Sequence, residues 1–216
     1  MNLKEIFYKN LTKKSGKWSN YFDIYHRHFD KFLNKEINLL EIGVANGGSL
    51  ELWYNYFGDS CNIFGLDINP AVLELKFDFP VNISLGNQRD EEFWKYYLFN
   101  NPRFDIVIDD GGHDMQDQLI TLISVFPHLN DGGVLLIEDT HTSYWKDFGG
   151  ELLNPNTFIE KSKGLIDFLH RQHIHYTAPS DQLVYIFKDL FSISFYNSVI
   201  VFEKKQYERS FPVENF

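Results

Sequence analysis

The stretch Phe104-Asp-Ile-Val-Ile-Asp-Asp-Gly-Gly-His113 decides how the chain is read. Phe104, Ile106, Val107 and Ile108 form a short β-branched apolar run. It is too dense for a strand with one face in water and typical of a buried parallel one. The run stops at two carboxylates, two glycines and a histidine. Open α/β sheets bind ligands beyond the carboxyl ends of their strands. Asp109, Asp110 and His113 therefore fall where chemistry is expected. The next apolar run ends in the same way: Gly132-Gly-Val-Leu-Leu-Ile-Glu-Asp-Thr-His141 stops at Glu138 and Asp139, with His141 close behind. Two neighbouring strands ending in acidic pairs read as a hard-oxygen metal site, because a divalent cation offsets the cost of burying carboxylates together.

Upstream, Asn38-Leu-Leu-Glu-Ile-Gly-Val-Ala-Asn-Gly-Gly-Ser49 reads as a strand, a glycine-bearing turn and a helix whose apolar face includes Leu50, Trp53, Tyr54 and Phe57. Glycines let the backbone approach a ligand, and a helix N-terminus presents free N–H groups. The glycines stand at 43, 47 and 48, so the dinucleotide fingerprint G-x-G-x-x-G fails. Asn62 to Asp67 is a second strand ending in an acid, the place where a ribose diol is held in Rossmann-like domains. Pro70 opens a short helix. Val81 to Gln88 is a third strand, ending in amide side chains suited to a base edge. Helices are expected from Asp90 to about Leu98, from Asp114 to Phe126 and from Phe158 to His170. Pro127 and Asp131-Gly132-Gly133 turn the chain into the fifth strand. Gln172 to Lys188 is ambiguous, and Ser192 to Glu203 alternates around a turn at Asn197-Ser198, a terminal hairpin. The fold expected is α/β: a Rossmann-like doubly wound sheet of five parallel strands with a C-terminal antiparallel hairpin.

Residues 1–36 are expected to form an arm and a helix, 37–205 the main domain and 206–216 a tail. Thr12 to Tyr21 reads either as a solvated arm or as a lid, since Trp18 and Tyr21 are large rings to expose without use. Phe22, Tyr25, Phe29 and Phe32 have helical spacing. The net charge of -10 argues against nucleic acid as the main partner. No apolar stretch approaches the ~20 residues of a membrane helix, and the start shows no signal-peptide core. The single cysteine, Cys61, fits a reducing compartment, and the expected location is the cytoplasm. Aromatics in the arm and at Tyr144-Trp145 suggest contacts in a homo-oligomer.

With Leu40-Glu-Ile-Gly-Val-Ala-Asn-Gly-Gly48, Asp67, Ile108-Asp-Asp-Gly-Gly-His113 and Ile137-Glu-Asp-Thr-His-Thr-Ser-Tyr-Trp145, the chain resembles class I S-adenosylmethionine (SAM)-dependent methyltransferases. More closely it resembles the metal-dependent sugar O-methyltransferases of macrolide glycosides, whose motifs the cephalosporin-hydroxylase-like proteins share. The resemblance runs from Thr12 to Lys204. It implies that Asp110, Glu138 and Asp139 hold Mg²⁺ or Mn²⁺ and that His113 is the general base. It also implies SAM contacts from Glu41, Gly43, Val44, Ala45 and Ser49, from Asp67 with Ile68 at the ribose, and from Asn87 and Gln88 near the adenine. Tyr21 belongs to the arm's contact to cofactor or substrate. Two positions depart from the family: Gly112 stands where serine is usual, and Asn20 precedes Tyr21 where a histidine is usual.

Some roles stay open. Asp109 is a helix N-cap beside a solvated acid, or a contact to the cofactor's amino group. His141 is a second base, a substrate contact or a loop residue. Tyr144 and Trp145 stack on a sugar or pack the loop. His170, His173 and His175 read as solvated helix termination rather than a metal cluster, and Cys61 reads as core. The expected activity is SAM- and Mg²⁺-dependent methylation of a sugar hydroxyl. Its small-molecule substrate would be a nucleotide-linked sugar or a glycoside of a surface-polysaccharide or natural-product pathway. The alternatives are a hydroxylase-like oxidoreductase, for which no convincing 2-His-1-carboxylate triad is seen, and a non-catalytic SAM-binding partner.

Overall fold

The computed structural model describes residues 2–174, 181–206, 208 and 210–214. His175 and part of the tail lie outside the described residues. The strands are β1 (Ile37–Ile42), β2 (Cys61–Asp67), β3 (Val81–Leu85), β4 (Phe104–Asp109), β5 (Leu129–Ile137), β6 (Leu190–Tyr196) and β7 (Val199–Lys204). They form one seven-stranded sheet in the order β3-β2-β1-β4-β5-β7-β6. The first five are parallel, and β7 runs antiparallel to both β5 and β6. This is the expected doubly wound sheet closed by a hairpin. The strand order reverses between β1 and β4, and the crevice at such a point is where open α/β sheets bind ligands.

The helices are α1 (Leu3–Lys9), α2 (Tyr21–Phe29), α3 (Gly48–Phe57), α4 (Glu91–Asn100), α5 (Met115–Val125), α6 (Phe158–Gly164), α7 (Ile166–Leu169) and α8 (Asp181–Phe187). They cover both faces of the sheet, which explains the continuous apolar runs of β1, β4 and β5. Leu39, Ile106, Ile108, Val134 and Leu136 face a cluster with Tyr25, Phe29 and Trp53. Leu40, Val107, Leu135 and Ile137 face the opposite cluster with Leu122, Phe126 and Phe158. Cys61 is buried in the first cluster, and burial pushes its thiol up to about 12.

Four details correct the sequence reading. Residues 3–9 form a helix, held by a capping box in which Asn2 Oδ1 accepts from Glu5 N and Glu5 Oε2 from Asn2 N. The helix expected over Phe158 to His170 breaks into α6 and α7 at Gly164-Leu165. The fifth strand begins at Leu129, ahead of the glycines, with an irregular register opposite Phe104 and Ile106. Thr12 to Tyr21 is not a solvated arm. Glu51 of α3 accepts from Thr12 N (2.7 Å), Thr12 Oγ1 (2.6 Å), Lys13 N (2.9 Å) and Lys13 Nζ (2.8 Å). A Cβ at Gly48 would stand 2.6 Å from Lys14 O, so the arm lies directly on the start of α3.

Candidate active site

Four strand ends, those of β1, β2, β3 and β4, build the first cavity. Gly43 follows β1 with φ +92, and its N–H donates to Leu66 O of β2 (2.8 Å). Asp110 follows β4 and its N–H donates to Ile42 O of β1 (2.9 Å). A Cβ at Gly43 would lie 2.0 Å from Asp110 O, so only glycine lets the two turns close together. Asp67 Oδ2 accepts from Ala45 N (2.9 Å), which ties the glycine turn to the end of β2. The resulting cavity of about 410 Å³ is lined by Gly43, Ala45, Asp67, Ile68, Asn87, Gln88 and Asp110 among others. A glycine cradle with an acid on one side and amides on the other fits a nucleoside cofactor.

The other expected cofactor residues lie elsewhere. Val44 packs in the core. Ser49 Oγ donates to Glu41 Oε2 (2.7 Å), and Glu41 is fully buried beneath the turn. Burial pushes the Glu41 carboxyl up to about 7, against the pull of Lys17. Asp109 is buried and accepts from Gln88 Nε2 (3.2 Å) and Gly111 N (3.2 Å). Burial raises it to about 6, opposed first by His113. Asp109 caps no helix: Asp114 accepts from Gln116 N and caps α5.

Beside this lies a second cavity of about 270 Å³, lined by Gly16, Lys17, Trp18, Tyr21, Asp110, Glu138 and Asp139. All three expected metal ligands border it. Asp110, His113 and Asp139 bring one ligand atom each within 4.8 Å of the others. His113 Nε2 stands 3.5 Å from Asp139 Oδ2 and 3.7 Å from Asp110 Oδ1. Its Nδ1 is buried with no hydrogen-bond partner among the described residues. Tyr21 stands on this cavity rather than the first, donating to Asp139 Oδ1 (2.5 Å) and meeting Ser198 Oγ (2.8 Å). Burial, and then the bond to Asp139, push its hydroxyl well above the ordinary range. His141 Nδ1 is hydrogen-bonded to Ser198 Oγ, and its ring is edge-on to Trp145 (4.4 Å) and Trp18 (5.8 Å). Trp18, Tyr144 and Trp145 are about half exposed.

Glu138 is turned inward. It accepts from Tyr25 OH (2.6 Å) and from Lys17 Nζ at both oxygens (2.9 Å). Lys17 Nζ also donates to Asp110 Oδ2 (2.7 Å) and lies 3.8 Å from Glu41 Oε1. Burial alone would lower Lys17, but Glu138, Asp110 and Glu41 hold it above the usual lysine range. Glu138 is raised well above the carboxylate range by burial and by Asp110. The donor set fits a hard divalent cation: Asp110 and Asp139 converge beside His113, Glu138 borders the same cavity with both oxygens on Lys17, and the buried ammonium offsets part of the carboxylate charge. Sequence reasoning missed Lys17, Tyr25 and Ser198, which meet the cluster only through tertiary contacts.

No family model matches the chain. It is 33% identical over 215 residues to mycinamicin VI 2''-O-methyltransferase of Micromonospora griseorubida, covering 94% of this chain and 52% of that protein. It is 33% identical over 187 residues to demethylmacrocin O-methyltransferase of Streptomyces fradiae, covering 83% of this chain and 46% of the relative. MycE methyltransferase from the mycinamycin biosynthetic pathway, solved in complex with Mg and SAH, superposes with a TM-score of 0.81. That superposition has 30% identity over 94% of this chain and 54% of that one. The chain is a homologue of sugar O-methyltransferases and shares their class I SAM-dependent methyltransferase fold. It spans about half the length of the curated relatives it matches. Among the described residues, no helix of this methyltransferase fold is long and apolar enough to cross a membrane.

Proposed function

We propose that the chain is a SAM- and Mg²⁺-dependent O-methyltransferase acting on a sugar hydroxyl. One observation carries the reading: Asp110 lines both cavities, so the nucleoside-shaped cradle and the acid cluster meet at one residue. A methyl donor in the first cavity and a hydroxyl in the second would be neighbours, and orientation of this kind supplies roughly 7–11 kcal/mol. The homologues extend the argument, since MycE was solved with Mg and SAH and also with mycinamycin VI.

Asp67, Ala45, Asn87 and Gln88 would bind the cofactor, and Asp110, Glu138 and Asp139 would hold the cation. When bound, SAM supplies the methyl group and Mg²⁺ acidifies a coordinated hydroxyl. The remaining work falls to the chain. His113 Nε2, between Asp110 and Asp139, accepts the hydroxyl proton, a role worth typically ~10²–10⁴-fold. Tyr21 fixes Asp139, and Thr142 Oγ1 fixes the backbone of His113 (2.8 Å). Trp18 and Trp145 offer apolar faces to the C–H side of a sugar ring. The acceptor is a glycoside or a nucleotide-linked sugar of a natural-product or surface-polysaccharide pathway, handled in the cytoplasm.

The test is calorimetric titration of the purified chain with S-adenosylhomocysteine, followed by methyl transfer to a panel of glycosides and nucleotide sugars with and without Mg²⁺. Micromolar binding and Mg²⁺-dependent transfer are expected. A folded sample that binds no S-adenosylhomocysteine, with or without metal, ends the reading.

A further inference from the structure

We propose that Lys17 is an intramolecular competitor for the cation site: its ammonium occupies the acid cluster until a divalent ion displaces it and moves the short stretch around Gly16 and Lys17 between two fixed anchors. The inference rests on reading Asp110, Glu138 and Asp139 as the ligands of a divalent cation.

Lys17 lies in a segment without helix or strand, between α1 and α2. Its side chain is only 1% exposed, an unusual place for a lysine. Three carboxylate oxygens surround Nζ at 2.7–2.9 Å, two from Glu138 and one from Asp110. These are two of the three carboxylates that a divalent ion would need. Glu138 Oε1 is further engaged by Tyr25. A divalent ion bound to Glu138 would sit a few ångströms from a like-charged ammonium in a buried, weakly screened setting. Like charges at that spacing repel strongly. Both cations can bind the cluster, but not at full strength together.

The arm is built to allow the exchange. Upstream it is anchored at Glu51 through Thr12 and Lys13, and downstream at Asp139 through Tyr21. Between the anchors Gly16 has no heavy atom within 4 Å of its Cβ position, and Trp18 is 56% exposed. Withdrawing Lys17 therefore parts one ring contact, the edge-on pair of the half-exposed Trp18 with His141 (5.8 Å). Asp110 Oδ1 and Asp139 Oδ2, the oxygens of these two acids that lie beside His113 Nε2 at 3.7 and 3.5 Å, would give an incoming ion its first contacts.

Two measurements test this at constant ionic strength. The first titrates Mg²⁺ calorimetrically into the wild type, Lys17→Met and Lys17→Arg. Lys17→Met should bind Mg²⁺ at least ten-fold more tightly, and Lys17→Arg should stay near the wild type. The second needs only the wild type: trypsin cleavage after Lys17, followed by mass spectrometry, should accelerate several-fold as Mg²⁺ saturates. This decides the matter if Lys17→Met fails to fold. Equal or weaker Mg²⁺ binding by folded Lys17→Met, or cleavage indifferent to Mg²⁺, overturns the competition while leaving the metal site standing. Absence of Mg²⁺ binding in wild type and variants alike overturns the metal reading and the competition with it.

Discussion

His113 and Asp139 both adopt left-handed backbone, with φ of 56 and 53. Non-glycine residues held there cost of order 1–3 kcal/mol each and persist only where the surroundings over-determine them. Here Thr142 fixes one and Tyr21 the other, so the imidazole and carboxylate face each other at 3.5 Å. His113→Ala should therefore lower kcat ~10²–10⁴-fold while leaving S-adenosylhomocysteine affinity within about two-fold, a split read by kinetics beside calorimetry. A variant with intact turnover would remove His113 from the reaction. Gly43 makes the opposite case, since its substitution acts on the cradle. Gly43→Ala places a methyl against Asp110 O and strains the backbone. It should abolish S-adenosylhomocysteine binding and destabilise the chain by at least about 2 kcal/mol in urea titrations.

The arm's position depends on Glu51, one residue of α3 that gathers four donors from Thr12 and Lys13. Burial works against its charge, yet those bonds hold its carboxyl down to about 2, from an ordinary 4.5. An acid depressed in the folded state adds stability that is complete above its ordinary value. That stability is lost as pH falls through the folded one. The wild type should thus lose stability between pH 4.5 and 2 through this group, by less than the full shift implies because solvent screens part of the interaction. Glu51→Gln should lower the Tm at pH 7 and flatten that acid limb in thermal melts. An unchanged acid limb would show that the clamp does not store this energy.

Across the whole molecule, the sheet is sandwiched by helices, and consecutive residues of β5 alternate between its two clusters. Leu136 is fully buried on the face shared with α2 and α3. Leu136→Ala should cost about 2–5 kcal/mol in urea denaturation, through lost burial and the cavity left behind. A change under about 1 kcal/mol would mean that this face repacks freely. Because α1 and α2 contribute Leu3, Ile6, Tyr25 and Phe29 to the same cluster as β1 and β4, the arm is fastened at both ends to the core.

The doubly wound sheet, the glycine turn and the acids at the ends of β4 and β5 were legible from residue order. Strand runs, turn glycines and terminal acids are local patterns, and their chemistry follows from where strands end. The opening helix is carried locally as well, by the capping box of Asn2 and Glu5. What residue order does not carry is which side chains share a cavity. Lys17 meets Asp110 across 93 positions and Glu138 across 121, and Thr12 meets Glu51 across 39. No local period encodes such pairs. Only tertiary packing places an ammonium among the carboxylates and sends Tyr21 to Asp139, and it buries Glu41 beneath the glycine turn and Asp109 beneath Gln88 and α5, behind the cradle they would otherwise line.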